Sequence, residues 1–295
     1  MAALTVSPEE VKRLKGEGFL NNKGTDLFSA RVLTGNGRVT VAKHRCMAEA
    51  AERFGNGTLT FTTRQTVEIP GIPYDKIEEF RALLATEGLE TGGTGPKVRP
   101  VVSCKGTTCQ YGLLDSYALS EKIHEQFYKG YHDVKLPHKF KIAVGGCPNN
   151  CVKPNLNDLG IVGQRIPDFH KELCRGCKKC TVEAACPVGA SKVVDGVLVR
   201  DEAACNRCGR CIGNCRFDSI PGGTYGYKIY IGGRWGKKVA MGKALNHFFT
   251  SQEEVLSMVE KVILFYKEEG QPGERFADTI ARIGFETVES RLLGE

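Results

Sequence analysis

The sequence predicts an α+β fold with a small metal-stabilised insert, and three observations carry that prediction. Strand-like and helix-like hydrophobic periods follow one another as ββαβα over about 90 residues at the N-terminal end. A second strand, helix and strand pattern begins after a glycine-rich stretch at residues 92–96. Between Ile166 and Ile220 the periodicity gives way to dense Cys, Gly, Arg and Lys, the texture of a segment too small to hold together by apolar burial alone.

Taken in order, Ser7-Pro8-Glu9-Glu10 offers an N-cap, a proline at the first helical position and a capping-box glutamate, so a short helix starts there. Leu27 to Thr34 and Arg38 to Ala42 alternate apolar and polar residues across Gly35-Asn36-Gly37, the pattern of a hairpin. A helix is expected from about His44 to Phe54, ended by Gly55-Asn56-Gly57, then β structure from Thr58 to Ile69 and a helix opened by Pro73 and lasting to about Glu87. Gly92-Gly93-Thr94-Gly95-Pro96 reads as a linker. Beyond it come a strand near Val98 to Ser103, a helix near Ser116 to Tyr128 and a strand near Phe140 to Val144. After the cysteine-rich band, β structure resumes at Tyr225 to Ile231. Ser251-Gln252-Glu253-Glu254 caps a long amphipathic helix to about Glu269, and a final helix runs from about Glu274 towards the C-terminus.

A chain of 295 residues is long enough for two domains. With 41% hydrophobic and 25% charged residues and a mean hydropathy of −0.25, neither wholesale disorder nor a polytopic membrane protein fits. No apolar run approaches the roughly 18 residues of a membrane span, and the N-terminal stretch MAALTVSPEEVKRLKGEG turns polar too soon for a signal peptide. The expectation is a reducing cytoplasm, where metal binding explains 13 cysteines better than disulfides do. The formal charge of +7 is by itself ambiguous between nucleic acid, an anionic membrane and a small anion.

Two cysteine triplets carry the strongest signal. Cys174-Arg-Gly-Cys177-Lys-Lys-Cys180 continues to Cys186-Pro187, and Cys205-Asn-Arg-Cys208-Gly-Arg-Cys211 continues to Cys215. A tight loop giving three thiolates, with a fourth from elsewhere, suits the corners of an iron–sulfur cubane; zinc motifs rarely need a third cysteine at this spacing. Four more cysteines form the pairs Cys104/Cys109 and Cys147/Cys151, which taken alone also fit a zinc site. The thirteenth, Cys46, sits among alanines on a predicted helix and reads as a buried, inert thiol. Lys139 and Lys141 lie two apart on a predicted strand, so their side chains face the same way. His44, His132 and His138 are possible proton donors without a distinguishing pattern, and Tyr225, Tyr227, Phe248 and Phe249 read as core packing.

The triplets resemble those of bacterial two-cluster ferredoxins, in which each fourth cysteine crosses to the other cluster. The resemblance implies one [4Fe-4S] cluster on Cys174, Cys177, Cys180 and Cys215 and another on Cys205, Cys208, Cys211 and Cys186. Five residues rather than three precede Cys186-Pro187 in the first half. The segment Lys139-Phe140-Lys141-Ile142-Ala143-Val144-Gly145-Gly146-Cys147-Pro148-Asn149-Asn150-Cys151, followed by Asn157-Asp158-Leu159-Gly160-Ile161-Val162-Gly163, resembles the sirohaem and [4Fe-4S] region of sulfite and nitrite reductases. Leu59-Thr60-Phe61-Thr62-Thr63-Arg64-Gln65-Thr66 resembles that family's N-terminal ferredoxin-like half. Together the matches run from about Phe19 to Gly233, with the insert placed as in dissimilatory-type enzymes. Within the family the chain is similar in particular to the catalytic C subunits of anaerobic sulfite reductases.

This resemblance implies a ferredoxin-like half at 1–95, a sirohaem and [4Fe-4S] domain at 96–165 and 220–295, and an inserted 2[4Fe-4S] ferredoxin domain at 166–219. It implies a third cluster on Cys104, Cys109, Cys147 and Cys151, with Cys151 also the axial ligand of the sirohaem iron. Lys139 and Lys141 are then contacts of the substrate anion, Arg64 holds a sirohaem carboxylate, and Arg31 and Arg99 face the substrate. Without the motifs, a solvated strand charge is the better reading of any one of these arginines. The activity implied is reduction of sulfite, or alternatively nitrite, by six electrons drawn from reductase subunits or a ferredoxin, in a homo-oligomer or hetero-oligomer where a neighbouring chain can add pocket arginines. A purely electron-transferring iron–sulfur protein is the other reading. A zinc-stapled nucleic-acid binder fits poorly, because the basic residues are scattered or tied to cysteine motifs. Three loaded clusters contribute about −6 and sirohaem's carboxylates more, so the excess of basic residues reads as cofactor compensation.

Overall fold

The structure is a computed structural model in which residues 6–294 are described; residues 1–5, which open the stretch read above against a signal peptide, and residue 295 lie outside the described residues. Helix α1 (Pro8–Gly16) starts where expected, with Ser7 Oγ accepting Glu10 N–H at 3.2 Å. The Glu10 carboxylate leaves the capping box open and instead takes Arg13 and Tyr74. Strands β1 (Phe19–Asn21) and β2 (Leu27–Val32), helix α2 (Val41–Phe54), strands β3 (Thr60–Phe61) and β4 (Val67–Pro73) and helix α3 (Ile77–Ala85) follow. The strands form an antiparallel sheet in the order β1-β2-β4-β3. Alternation along β2 and β4 turns Phe28, Ala30, Val32, Val67 and Ile69 onto Met47, Ala50, Phe80 and Leu84 of the helices, all buried.

The hairpin expected across Gly35-Asn36-Gly37 does not form. Those three residues make a left-handed turn with φ of 54°, 66° and 77°, but β2 pairs with β1 and β4. The chain beyond runs into α2, which Thr40 caps by accepting Lys43 N–H at 3.2 Å. Alternation over so few residues does not separate a strand from the approach to a helix. Nor is the glycine stretch a linker: Gly92, Gly93 and Thr94 are buried. A Cβ on Gly92 would lie 2.5 Å from Tyr128 Oη, to which Gly93 N–H donates. Glycine is needed for that close approach.

The second unit holds β5 (Val102–Ser103), α4 (Ser116–Ile123) continued by a π-helical turn at His124–Lys129, β6 (Ile142–Gly145) and β7 (Leu159–Pro167). The cysteine-rich segment then contributes α5 (Thr181–Ala185) and the hairpin β8 (Ser191–Val194) and β9 (Val197–Arg200). The chain returns on β10 (Gly223–Ile231) and β11 (Lys243–Ala244). The sheet order is β11-β10-β7-β6-β5, with β5, β6 and β7 parallel and the rest antiparallel. Gly223 pairs with Pro167, so the segment leaves and re-enters the sheet at facing residues. It has a small core of its own, Val182, Leu198 and Ile220.

Helix α6 (Gln252–Glu269) is capped by Ser251, as predicted. The single final helix is instead two, α7 (Phe276–Ile283) and α8 (Phe285–Leu293), broken at Gly284 with φ 98°. Tyr225 is exposed beneath the Arg165 guanidinium rather than in the core, whereas Phe249 is buried. No helix among the described residues is long and apolar enough to cross a membrane.

Candidate active site

Arg31, Arg64, Arg99, Lys139 and Lys141 line one cavity of about 270 Å³, together with Thr62, Thr63, Thr66, Gly93 and Pro100. Arg31 reaches it because β2 turns alternate residues to opposite faces: Ala30 and Val32 go to the core and Arg31 to the other side. Its register partner Glu68 accepts its guanidinium. Arg64 sits in the β3–β4 turn, where Gln65 has φ 59°. Its Nη1 donates to Asn157 Oδ1 at 2.9 Å and its Nη2 to the Pro100 and Ile142 carbonyls. Arg99 Nη1 donates to Gly93 O. Lys139 and Lys141 flank Phe140, which bridges Val98, so both reach the same cavity.

Crowded cations shape the electrostatics. Burial, then Arg64, Lys139 and Arg275, hold Lys141 down to about 8. Burial and Arg275 also lower Lys139. Arg64 and Arg99 are pushed down to about 10, chiefly by burial. The Nε–H groups of both arginines are buried without a partner, and donors of that kind favour an anionic guest. Sequence reading missed Asp158 and Arg275 behind the lysines. Asp158 stood inside a quoted motif, but nothing local to Arg275 marks it. Of the three histidines, His44 and His132 are exposed, while half-buried His138 lies beside the lysines with Nδ1 accepting Lys139 N–H at 2.7 Å.

The cysteines gather separately. Cys104 and Cys109 bracket a short turn at Gly106–Thr108, and Cys147 and Cys151 lie in the turn after β6. Gly146 N–H donates to Cys104 Sγ at 3.1 Å, and a Cβ on Gly146 would sit 2.7 Å from Gly106 Cα, so the two loops touch backbone to backbone. Burial pushes the Cys147 thiol up, and Cys104, Cys151 and Cys109 add to the rise. All four therefore lie within electrostatic reach, a donor set that fits a [4Fe-4S] cluster. Among the described residues, no three His, Cys, Asp or Glu side chains converge on a single-ion position; a cubane takes its thiolates around a cage. No cysteine lines the basic cavity. Lys141 precedes β6 and Cys147 lies in the bend after it, so the two stand at opposite ends of a strand about 13 Å long.

In the cysteine-rich segment, Cys186, Cys205, Cys208 and Cys211 line one small cavity. Cys174, Cys180 and Cys215 pack on the segment's core, with Cys174 Sγ accepting Leu198 N–H at 3.3 Å, and Cys177 is half-buried. Cys147 and Cys208 line a shared cavity of about 140 Å³ with Tyr111 and Arg210, whose guanidinium lies 4.9 Å over the Tyr111 ring. Cys46 is buried in the first unit and donates to Leu83 O.

Residues 94–295 match the family described as the nitrite and sulphite reductase 4Fe-4S domain, and residues 21–86 the nitrite/sulfite reductase ferredoxin-like half domain. The chain belongs to the nitrite and sulphite reductase family, which depends on sirohaem and a [4Fe-4S] cluster. It is 33% identical over 240 residues to the coenzyme F420-dependent sulfite reductase of Methanocaldococcus jannaschii, covering 80% of this chain and 37% of that protein. It is 30% identical over 214 residues to the C subunit of the anaerobic sulfite reductase of Salmonella typhimurium, covering 65% and 60%. The chain thus spans less than two thirds of either relative. The fold matches the crystal structure of dissimilatory sulfite reductase I with a TM-score of 0.72, over 91% of this chain and 69% of that one, at 22% identity.

Proposed function

We propose that this chain reduces sulfite to sulfide. The observation that carries the reading is the convergence of Arg31, Arg64, Arg99, Lys139 and Lys141 on one cavity with unpartnered buried N–H donors. Lys139 and Arg99 supply charge to hold the anion, and Arg31, braced by Glu68, supplies oriented donors. Lys141, titrating near 8, is protonated at neutral pH yet close enough to it to release a proton to a reducing oxyanion and recover it from solvent. Arg64 keeps Nε free to meet a sirohaem carboxylate.

The chain divides into a ferredoxin-like half at 1–95, a sirohaem and [4Fe-4S] domain at 96–165 with 220–295, and an inserted 2[4Fe-4S] ferredoxin domain at 166–219. Cys104, Cys109, Cys147 and Cys151 would hold the sirohaem-coupled cluster, with Cys151 the residue that would also bond the sirohaem. The other two sets are Cys174/Cys177/Cys180/Cys215 and Cys205/Cys208/Cys211/Cys186. When bound, these groups would supply the electrons for the six-electron reduction. The cavity shared by Cys147 and Cys208 supports entry through the insert. The lysines and the cysteine quartet at opposite ends of β6 leave room between them for a group that both would serve, and a second chain, another copy or a related protein, would add further pocket arginines. A reducing cytoplasm suits the thiol content.

An anaerobic visible spectrum with iron and acid-labile sulfide counts tests this, alongside turnover of sulfite and nitrite. We expect about twelve cluster irons plus one haem iron per chain and faster turnover of sulfite. Fully loaded protein with about eight irons and no sirohaem band would sink the enzyme reading.

A further inference from the structure

The basic cavity is backed by a buried ion pair. Asp158, just before β7, is 0% exposed, and both its oxygens accept Arg275 Nη2 at 2.9 Å. Its Oδ2 also accepts the backbone N–H of Lys141 at 2.9 Å, and its carbonyl accepts Gly232 N–H at 3.0 Å. Arg275 is the residue before α7, 117 positions away in sequence. The carboxylate therefore joins the approach to β6 and the entry to α7, while the backbone of the same residue ties the start of β7 to the end of β10.

We propose that Asp158 and Arg275 are a positioning pair for the anion cavity: Asp158 fixes the Lys141 backbone so that Lys139 and Lys141 enter the cavity together, and Arg275 supplies the counter-charge that an enclosed carboxylate requires. This rests on reading the cavity as the sulfite site. Burial pushes the Asp158 carboxyl up, and Arg275, the cation that both its oxygens meet, together with the Lys141 N–H and ammonium, draws it back towards the charged form. A neutral hydrogen-bonding pair would hold the backbone equally well; the charge has a further consequence at the lysine. Arg64 from the β3–β4 turn, Lys139 from the same segment and Arg275 from the entry to α7 all push the Lys141 ammonium towards neutrality, and Asp158 opposes them. Arg31 from β2 and Arg99 from the approach to β5 line the same cavity, and Arg234 acts on Lys139. Removing the charge of Asp158 leaves Arg275 unbalanced and lowers Lys141 further.

The test compares Asp158→Asn, which keeps the shape and an oxygen for the Lys141 N–H, with Arg275→Lys, which keeps the charge and loses the two-oxygen grip. In Asp158→Asn, KM for sulfite is expected to rise about tenfold with kcat changed less, the scale of one charge-assisted hydrogen bond. The Lys141 midpoint, followed by pH-dependent acetylation and mass spectrometry of the purified chain, is expected to fall below its wild-type value near 8. Arg275→Lys is expected to raise KM by less and to hold the midpoint. A folded Asp158→Asn with wild-type KM and an unmoved midpoint overturns the proposal. If Asp158→Asn does not fold, a wild-type KM in Arg275→Lys overturns it, and if neither folds the pair is a structural staple only. The acetylation readout needs no sulfite turnover. A wild-type protein that ignores sulfite therefore sinks the proposed function and leaves the labelling to judge the pair.

Discussion

Lys141 couples the cavity to pH. Held down to about 8 by burial and three neighbouring cations, it loses its charge well below the range of an exposed lysine. Sulfite affinity is therefore expected to weaken as pH rises through about 8, and Lys141→Arg to move that loss to higher pH; KM measured from pH 6 to 10 checks it. The sign for folding is opposite. Between about 8 and 10.5 the unfolded chain holds a proton that the folded chain has released, so this group makes stability rise with pH there, and Lys141→Met is expected to remove that contribution from pH-dependent denaturation. Lys141→Met is also expected to lower sulfite turnover by about a hundredfold or more, the scale of a lost proton donor, with the sirohaem spectrum retained. Normal turnover in that variant would end the anion-binding and proton-donor roles together.

Among the elements, the loops that carry cysteines depend on glycines for their contact. Gly106 and Gly146 approach so closely that a Cβ on either would fall within 2.8 Å of the other's Cα, and backbone on both sides leaves nothing flexible to yield. Gly146→Ala is expected to separate the Cys104/Cys109 loop from the Cys147 turn. About four irons per chain should be lost while the circular dichroism of the fold persists; a full iron count would show that the loops tolerate the gap. Local signals did well where capping chemistry sat beside a strong period, as at Ser7 and Ser251. They failed at residues 38–42, where a short alternation precedes a helix that Thr40 starts. They also failed at Gly284, where a continuous apolar pattern hid a backbone break. The β8–β9 hairpin went unread although Asp195-Gly196, both at positive φ, marks its turn.

At the scale of the molecule, the basic residues and the cysteine quartet lie at the two ends of β6, and this separation gives the assembly a direct test. Chains carrying Lys141→Met and chains carrying Cys151→Ser, each inactive alone, are expected to stay inactive when co-assembled, because the lysines and the quartet of one chain would serve one site; recovered sulfite turnover would show a site shared between chains. The cysteine triplets and the two lysines were legible in the sequence because residue type and spacing within a dozen positions mark them, whereas the proposed ligand sets, which span 25 to 47 positions, rested on resemblance. Convergence of Arg31, Arg64 and Arg99 on those lysines was legible only through resemblance. The ion pair of Asp158 with Arg275 was not legible at all. What the sequence by itself determined is the inventory of thiolates and cations and most of the helices and strands that carry them. The tertiary structure decided which of them meet, since β2, the β3–β4 turn, β6 and the entry to α7 are distant in the chain and are brought together by sheet register and core burial, which no local pattern encodes.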